Sequence, residues 1–120
     1  MEKLLEAMDN VVPFDTDSSF LDLGSGLGMP VFHAALKMGV SAYGIEVCDL
    51  HVDNAVLLKI KLGHYGYFKD YKGTINFRCQ NMDSVRNFRA SHIYSFNSRF
   101  NAQNIADAIR IFEGDADYAP

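Results

Sequence analysis

Phe20-Leu21-Asp22-Leu23-Gly24-Ser25-Gly26-Leu27-Gly28 is a short apolar run that meets three glycines at alternate positions. An apolar, alanine-containing segment with helical spacing follows directly. This order reads as a buried strand, a turn whose backbone can be approached closely, and then a helix. Glycine carries no Cβ, so such a turn can take positive φ and let a ligand lie against the main chain. The helix behind it offers unpaired N–H groups and the positive end of its dipole. A nucleotide-like cofactor is the expected occupant.

Working outward, residues 3–12 place Leu4, Leu5, Met8, Val11 and Val12 on one face of an amphipathic helix. Pro13 and the polar run Asp15-Thr16-Asp17-Ser18-Ser19 stop it. The first strand is expected at 20–23. Pro30 opens the next helix, which carries Val31, Phe32, Ala34, Ala35, Leu36 and Met38, and Gly39 ends it. A second strand is expected at 42–47. Asp49 reads as the cap of a third helix over 50–62, which uses Val52, Ala55, Val56, Leu58 and Leu62 and ends near Gly63. Residues 74–79 read as a third strand, 83–88 as one or two helical turns, and 93–96 as a fourth strand. The last helix is expected at 101–112 with Ala102, Ile105, Ile109 and Phe112 inward, stopped by Gly114.

Strand and helix alternate, which predicts an α/β domain: a Rossmann-like parallel sheet with helices on both faces. The expected division is an N-terminal helix and linker over 1–19 and a cofactor-binding core over 20–112, in one domain. Ligands in such sheets sit beyond the carboxyl ends of the strands, near the point where strand order reverses. The glycine turn, Glu46, Asn81-Met82-Asp83 and Asn97 all fall at strand ends.

The spacing Gly24-x-Gly26-x-Gly28 departs from the dinucleotide pattern, and Asp22 lies two residues ahead of it. A pyrophosphate is repelled by that carboxylate. S-adenosylmethionine has no phosphate and carries an ammonium group and a sulfonium, which suit an acidic strand end. Glu46 would accept hydrogen bonds from ribose hydroxyls, a feature shared with dinucleotide sites. The candidate cofactor-binding residues are therefore Asp22, Gly24, Ser25, Gly26, Gly28, Glu46 and Val47, with S-adenosylmethionine as cofactor.

Composition narrows the class. Of 120 residues, 48% are hydrophobic and 22% charged, ordinary for a soluble globular chain. A net charge of −4 leaves no broad basic surface for a nucleic-acid backbone. Glu2 and Glu6 stand where a signal peptide would be basic, and no apolar run reaches membrane-spanning length, so an intracellular protein away from membranes is expected. Cys48 and Cys79 read as free, buried thiols. His33, His51, His64 and His92 have no metal-ligand spacing, and no metal is expected. Tyr65, Tyr67, Phe68 and Tyr71, with Lys69 and Lys72 among them, are expected to pack a sheet edge, with base stacking or peptide binding as the alternative.

The run Phe20 to Val31, the Tyr43-Gly44-Ile45-Glu46 element and Ser95-Phe96-Asn97-Ser98-Arg99-Phe100 together resemble the non-SET histone-lysine methyltransferases, the disruptor-of-telomeric-silencing family. The similarity spans 20–112. It implies a class I methyltransferase fold, S-adenosylmethionine as donor and a lysine amine as acceptor. By position it implies that Asp22, Gly24 and Gly26 hold the methionine part, Glu46 the ribose, and Asn81 and Met82 the adenine. Asn97 would face the transferring methyl and Phe100 would line the acceptor channel, so these two are the candidate catalytic residues. The family has aspartate and phenylalanine where Asn81-Met82 stands. Its substrate-binding elements ahead of the glycine turn and its C-terminal strands have no counterpart here. The resemblance implies a protein substrate, a histone or nucleosome, and a nuclear location. A methyltransferase acting on RNA or a small molecule, or a non-catalytic cofactor-binding subunit whose sheet a partner chain completes, stays open.

Overall fold

In the computed structural model, which describes residues 1–96 and 100–114, β1 (Ser19–Leu23) runs through the middle of a four-stranded parallel sheet. β2 (Ser41–Glu46) pairs along one side of β1, with Leu23 opposite Ile45. β3 (Ile75–Cys79) pairs beyond β2, with Glu46 opposite Cys79. β4 (His92–Ser95) pairs on the other side of β1, with Leu23 opposite Ser95. The order β3-β2-β1-β4 reverses between β1 and β4, which opens a crevice at their carboxyl ends.

A strand covered on both faces needs apolar residues at nearly every position, and β1 has them. Phe20 and Ala42 point to one face, where α1 (Glu2–Val11), α2 (Met29–Met38) and α3 (Asp49–His64) bury Leu5, Val31, Phe32, Ala34, Ala35, Val52 and Ala55. Leu21, Leu23 and Ile45 point to the other, where α4 (Ala102–Glu113) and a 3-10 turn at Met82–Ser84 bring Ile111, Met82 and Val85. The sheet is Rossmann-like with helices on both faces, as the alternation of elements implies.

The differences from expectation lie at element ends and on one helix face. α1 buries Leu5 and leaves Val11 82% exposed, because the chain turns extended at Val12 and Phe14 takes the packing position instead. Phe14 stacks on His92, and its N–H donates to Asp9 Oδ1. Asp49 is not the cap of α3. Cys48 occupies that position without a side-chain hydrogen bond, and the helix runs through Gly63 to His64. The largest correction is α4, where Ile105, Ile109 and Phe112 are exposed and the inward residues are Asp107 and Ile111. Helical periodicity locates an apolar stripe, but here only part of that stripe has a partner. Cys79 is exposed and Cys48 half-buried, both as free thiols, because each sits where its chain leaves the sheet.

Candidate functional site

The glycine turn folds over the end of β2. The N–H groups of Gly24 and Ser25 both donate to Ile45 O, at 2.8 and 3.1 Å, and the Gly28 N–H donates to Ser25 O at 2.9 Å. Such a tight reversal requires left-handed backbone, with φ of 80° at Gly24, 54° at Gly26 and 90° at Gly28. The three glycines serve different ends. A Cβ at Gly26 would meet nothing within 4 Å, so this is the open point of the turn. At Gly24 the Phe100 ring lies 3.1 Å from where a Cβ would be. Gly28 stands away from the cleft as the N-cap of α2, and a Cβ there would strike Phe77 at 2.7 Å and Phe32 at 3.1 Å. Its missing Cβ makes room for helix-to-sheet packing, and it is not among the residues that line the cleft.

Glu46, the last residue of β2, is held by backbone from two loops. Its Oε1 accepts from the Gly26 N–H at 3.0 Å and its Oε2 from the Cys48 N–H at 2.9 Å, with His51 Nδ1 3.7 Å away. A carboxylate suits this place, ahead of the N-terminus of α3. Asp22 lies lower, on β1, only 2% exposed, and its Oδ1 has no hydrogen-bond partner among the described residues. Burial pushes its carboxyl up to about 7 from the ordinary 3.8, and the charge of Glu46 adds to the rise. The Ser25 Oγ is also buried without a partner. Unsatisfied buried polar atoms cost free energy and call for an explanation.

After β3, the Asn81 Oδ1 accepts the Asp83 N–H at 3.2 Å and caps the 3-10 turn, which leaves its amide NH2 group without a partner among the described residues. Met82 is buried against Leu23 and Ile45, and Arg110 of α4 fixes this turn by donating to Met82 O at 3.0 Å and Val85 O at 2.8 Å. These parts enclose a cleft of about 610 Å³. Its walls include Gly24, Gly26, Glu46, Val47, Asn81, Met82 and Phe100, so the structure gathers these seven candidates in one place. Asp22 and Ser25 are buried outside its lining, and Asn97 lies outside the described residues.

Sequence reading missed His51, Gln80, Phe96 and Asn104, which also line the cleft. A signal existed for one of them. Asn101 and Asn104 form a reciprocal capping box, with Asn104 N–H to Asn101 Oδ1 at 2.8 Å, legible as paired asparagines three apart at a helix start. His51, in the first turn of α3 five residues after Glu46, offers no pattern. Among the described residues, no group of three His, Cys, Asp or Glu could hold a metal ion, and no helix is long and apolar enough to cross a membrane. The cleft thus offers the Glu46 carboxylate beside the glycine turn and an apolar thioether with amide donors at the far side, while the Asp22 carboxyl lies buried beneath the turn, outside the lining.

Solved structures share this architecture. An RNA methyltransferase from Salinibacter ruber, in complex with S-adenosyl-L-homocysteine, matches at 23% identity with a TM-score of 0.61, over 79% of this chain and 57% of that one. SAM-dependent methyltransferases from Geobacter sulfurreducens and Thiobacillus denitrificans, each also with S-adenosyl-L-homocysteine, match at 21% and 18% identity with TM-scores of 0.64 and 0.63. They cover 92% and 91% of this chain, and 43% of each of theirs. The chain therefore spans about half the length of these structures, and at such identities the likeness shows the fold. A search of curated proteins returns no match. Residues 1–108 match the sequence family described as histone methylation protein DOT1, and the chain belongs to that family.

Proposed function

We propose that this chain binds S-adenosylmethionine in the cleft above β1 and serves methyl transfer to a protein lysine, with histones as the acceptor class. The observation that carries the reading is the buried Asp22 carboxyl with its unpartnered Oδ1 at the base of the glycine turn. An ammonium group supplies the missing partner, whereas a diphosphate adds repulsion. Glu46 spends one lone pair of each oxygen on the Gly26 and Cys48 N–H groups and keeps others for a ribose diol. Met82 and Val47 offer apolar faces to the adenine, and Asn81 offers its NH2 group to the ring edge. The residues present fit the cofactor.

When bound, S-adenosylmethionine supplies a methyl group on a sulfonium, already a good leaving group. The protein's share is to hold the acceptor amine in line and uncharged. Phe100, packed on Gly24, and the exposed Phe96 make an apolar mouth that disfavours an ammonium relative to a neutral amine. Asn97, between them in sequence, is assigned to orient the amine on the strength of the Asn-x-x-Phe element. In this reading residues 20–112 form the cofactor core, 1–19 cover one face, and a histone acceptor entails a nuclear location.

A second reading, a cofactor-binding module that transfers no methyl by itself, is favoured by a specific observation. The outer edge of β4 is unpaired among the described residues, and an apolar groove of about 430 Å³ with Leu23, Ile93, Ile105, Ile109 and Phe112 runs beside it. Calorimetric titration with S-adenosylmethionine, S-adenosylhomocysteine and NAD tests the cofactor: saturable binding of the first two alone supports it, and binding of NAD alone overturns it. Tritium transfer to nucleosomes, free histones and bulk RNA then sorts the acceptors. Cofactor binding without transfer selects the second reading. With transfer present, Asn97→Ala should slow turnover and leave cofactor affinity within a few-fold.

A further inference from the structure

Between Asp53 and Asp83 the chain carries five basic residues and one acid, Asp70, while the rest carries six basic and fourteen acidic. The positive charge of this acidic protein is therefore concentrated on α3 and the segment that follows it. Beyond His64 the backbone keeps winding in tight turns, with Tyr65 N–H to Lys61 O at 3.0 Å, Tyr67 N–H to Leu62 O at 3.0 Å and Lys69 N–H to Gly66 O at 3.2 Å. This winding sorts the aromatic cluster into two kinds. Phe68 and Tyr71 turn inward, and the Tyr71 hydroxyl anchors the segment by donating to Val40 O at 2.7 Å. Tyr65 and Tyr67 turn outward, 76% and 62% exposed.

Lys59 is tied to Ile75 O at 2.7 Å, whereas Lys61, Lys69 and Lys72, each within five residues of one or other tyrosine in sequence, are exposed. Tyr67 also forms one wall of a groove of about 380 Å³ between α2 and α3, floored by Phe32, Leu58 and Leu62. Lys37, in an ion pair with Glu2 at 3.8 Å, and His33 stand at its rim. The cofactor cleft touches the first turn of α3, so this surface lies at the opposite end of the same helix, about 24 Å away for its 16 residues.

We propose that this end of α3 is a contact surface for a single-stranded nucleic acid, with Lys61, Lys69 and Lys72 on phosphates and Tyr65 and Tyr67 stacking on bases. Charge alone would serve a duplex or an acidic peptide equally well. Two outward aromatic rings flanking Gly66 add what only unpaired bases exploit, a π-face for each ring. The groove beside Tyr67 gives a splayed base an apolar seat. Net negative charge elsewhere confines the contact to this patch.

The test is fluorescence anisotropy of the whole chain with labelled oligothymidine, a duplex of equal length and polyglutamate, across a salt series. Binding of oligothymidine is expected with a slope of log affinity against log salt near about −2, as three phosphate contacts at about −0.7 each require. Replacing Tyr65 and Tyr67 by Leu should weaken it about tenfold per ring. The triple variant Lys61→Glu, Lys69→Glu, Lys72→Glu should abolish it. These residues are exposed, so melting temperature and S-adenosylhomocysteine binding should not move, which separates this outcome from the fate of the cofactor reading. Absence of binding by the folded chain overturns the proposal. So does equal affinity for duplex or polyglutamate, or indifference to the two tyrosines.

Discussion

At the scale of single residues, Asp22 ties stability to one proton and, under the proposed function, ties ligand binding to the same proton. Its carboxyl stands near 7 in the folded chain against 3.8 for an ordinary aspartate, chiefly through burial. The folded state therefore holds this proton more tightly than the unfolded one. The associated stability is complete below about pH 4 and is lost as pH rises through about 7, a change on the order of 4 kcal/mol. Denaturant titrations of wild type against Asp22→Asn should show the slope only in wild type. A cationic ligand reverses the preference, since it favours the ionised acid. Affinity for S-adenosylhomocysteine should thus rise between about pH 6 and 7.5, with about half a proton released per ligand at pH 7. Calorimetry in buffers of different ionisation enthalpy reads that release, and Asp22→Asn should abolish it. Gly28 makes a different point. Gly28→Ala forces a Cβ into the Phe77 ring and strains a φ of 90°, which should cost about 2 kcal/mol and lower the melting temperature by about 8 °C.

At the scale of elements, α4 does two jobs, as a cover for the lower core and as a clamp on the cleft. Arg110 reaches from α4 to the carbonyls of Met82 and Val85 and so sets the 3-10 turn that carries the Met82 wall of the cleft. Arg110→Ala should cost about 2 kcal/mol and lower S-adenosylhomocysteine affinity several-fold. Arg110→Lys cannot span both carbonyls and should fall between. The start of α4 was legible in Asn101 and Asn104, whose capping box needs only local spacing. Its inward face was not. Apolar Ile105, Ile109 and Phe112 outweigh Asp107 and Ile111 in any helical projection, yet α4 buries the latter pair because it leans on the 3-10 turn.

At the scale of the whole molecule, the apolar stripe left over on α4 lies beside the unpaired edge of β4, so a sheet edge and an apolar groove coincide. Phe112 is 68% exposed there. An open edge with exposed apolar residues invites association. Light scattering behind size exclusion should show self-association that grows with concentration. The double variant Ile109→Glu, Phe112→Glu should reduce it without altering cofactor affinity, since neither residue lines the cleft. The separation of charge along α3 belongs to this scale as well, with cleft and basic end joined by one rigid helix.

Alternation of apolar runs and glycine stops determined a parallel α/β sheet, because strand and helix periodicities and turn conformations are local properties. The Gly-x-Gly-x-Gly turn, its preceding aspartate and Glu46 likewise pointed to the strand ends where the cleft opens, since chain order fixes which residues stand there. Tertiary structure alone decided which glycine faces open space along the cleft and which one faces Phe77, for that depends on what the rest of the chain puts opposite each missing Cβ. It alone brought His51, Gln80 and Asn104 to the cleft from three different elements. It also divided one aromatic cluster into rings that pack and rings that face outward. Each of these outcomes depends on which surface finds a partner, and partners are assigned by packing across the sheet.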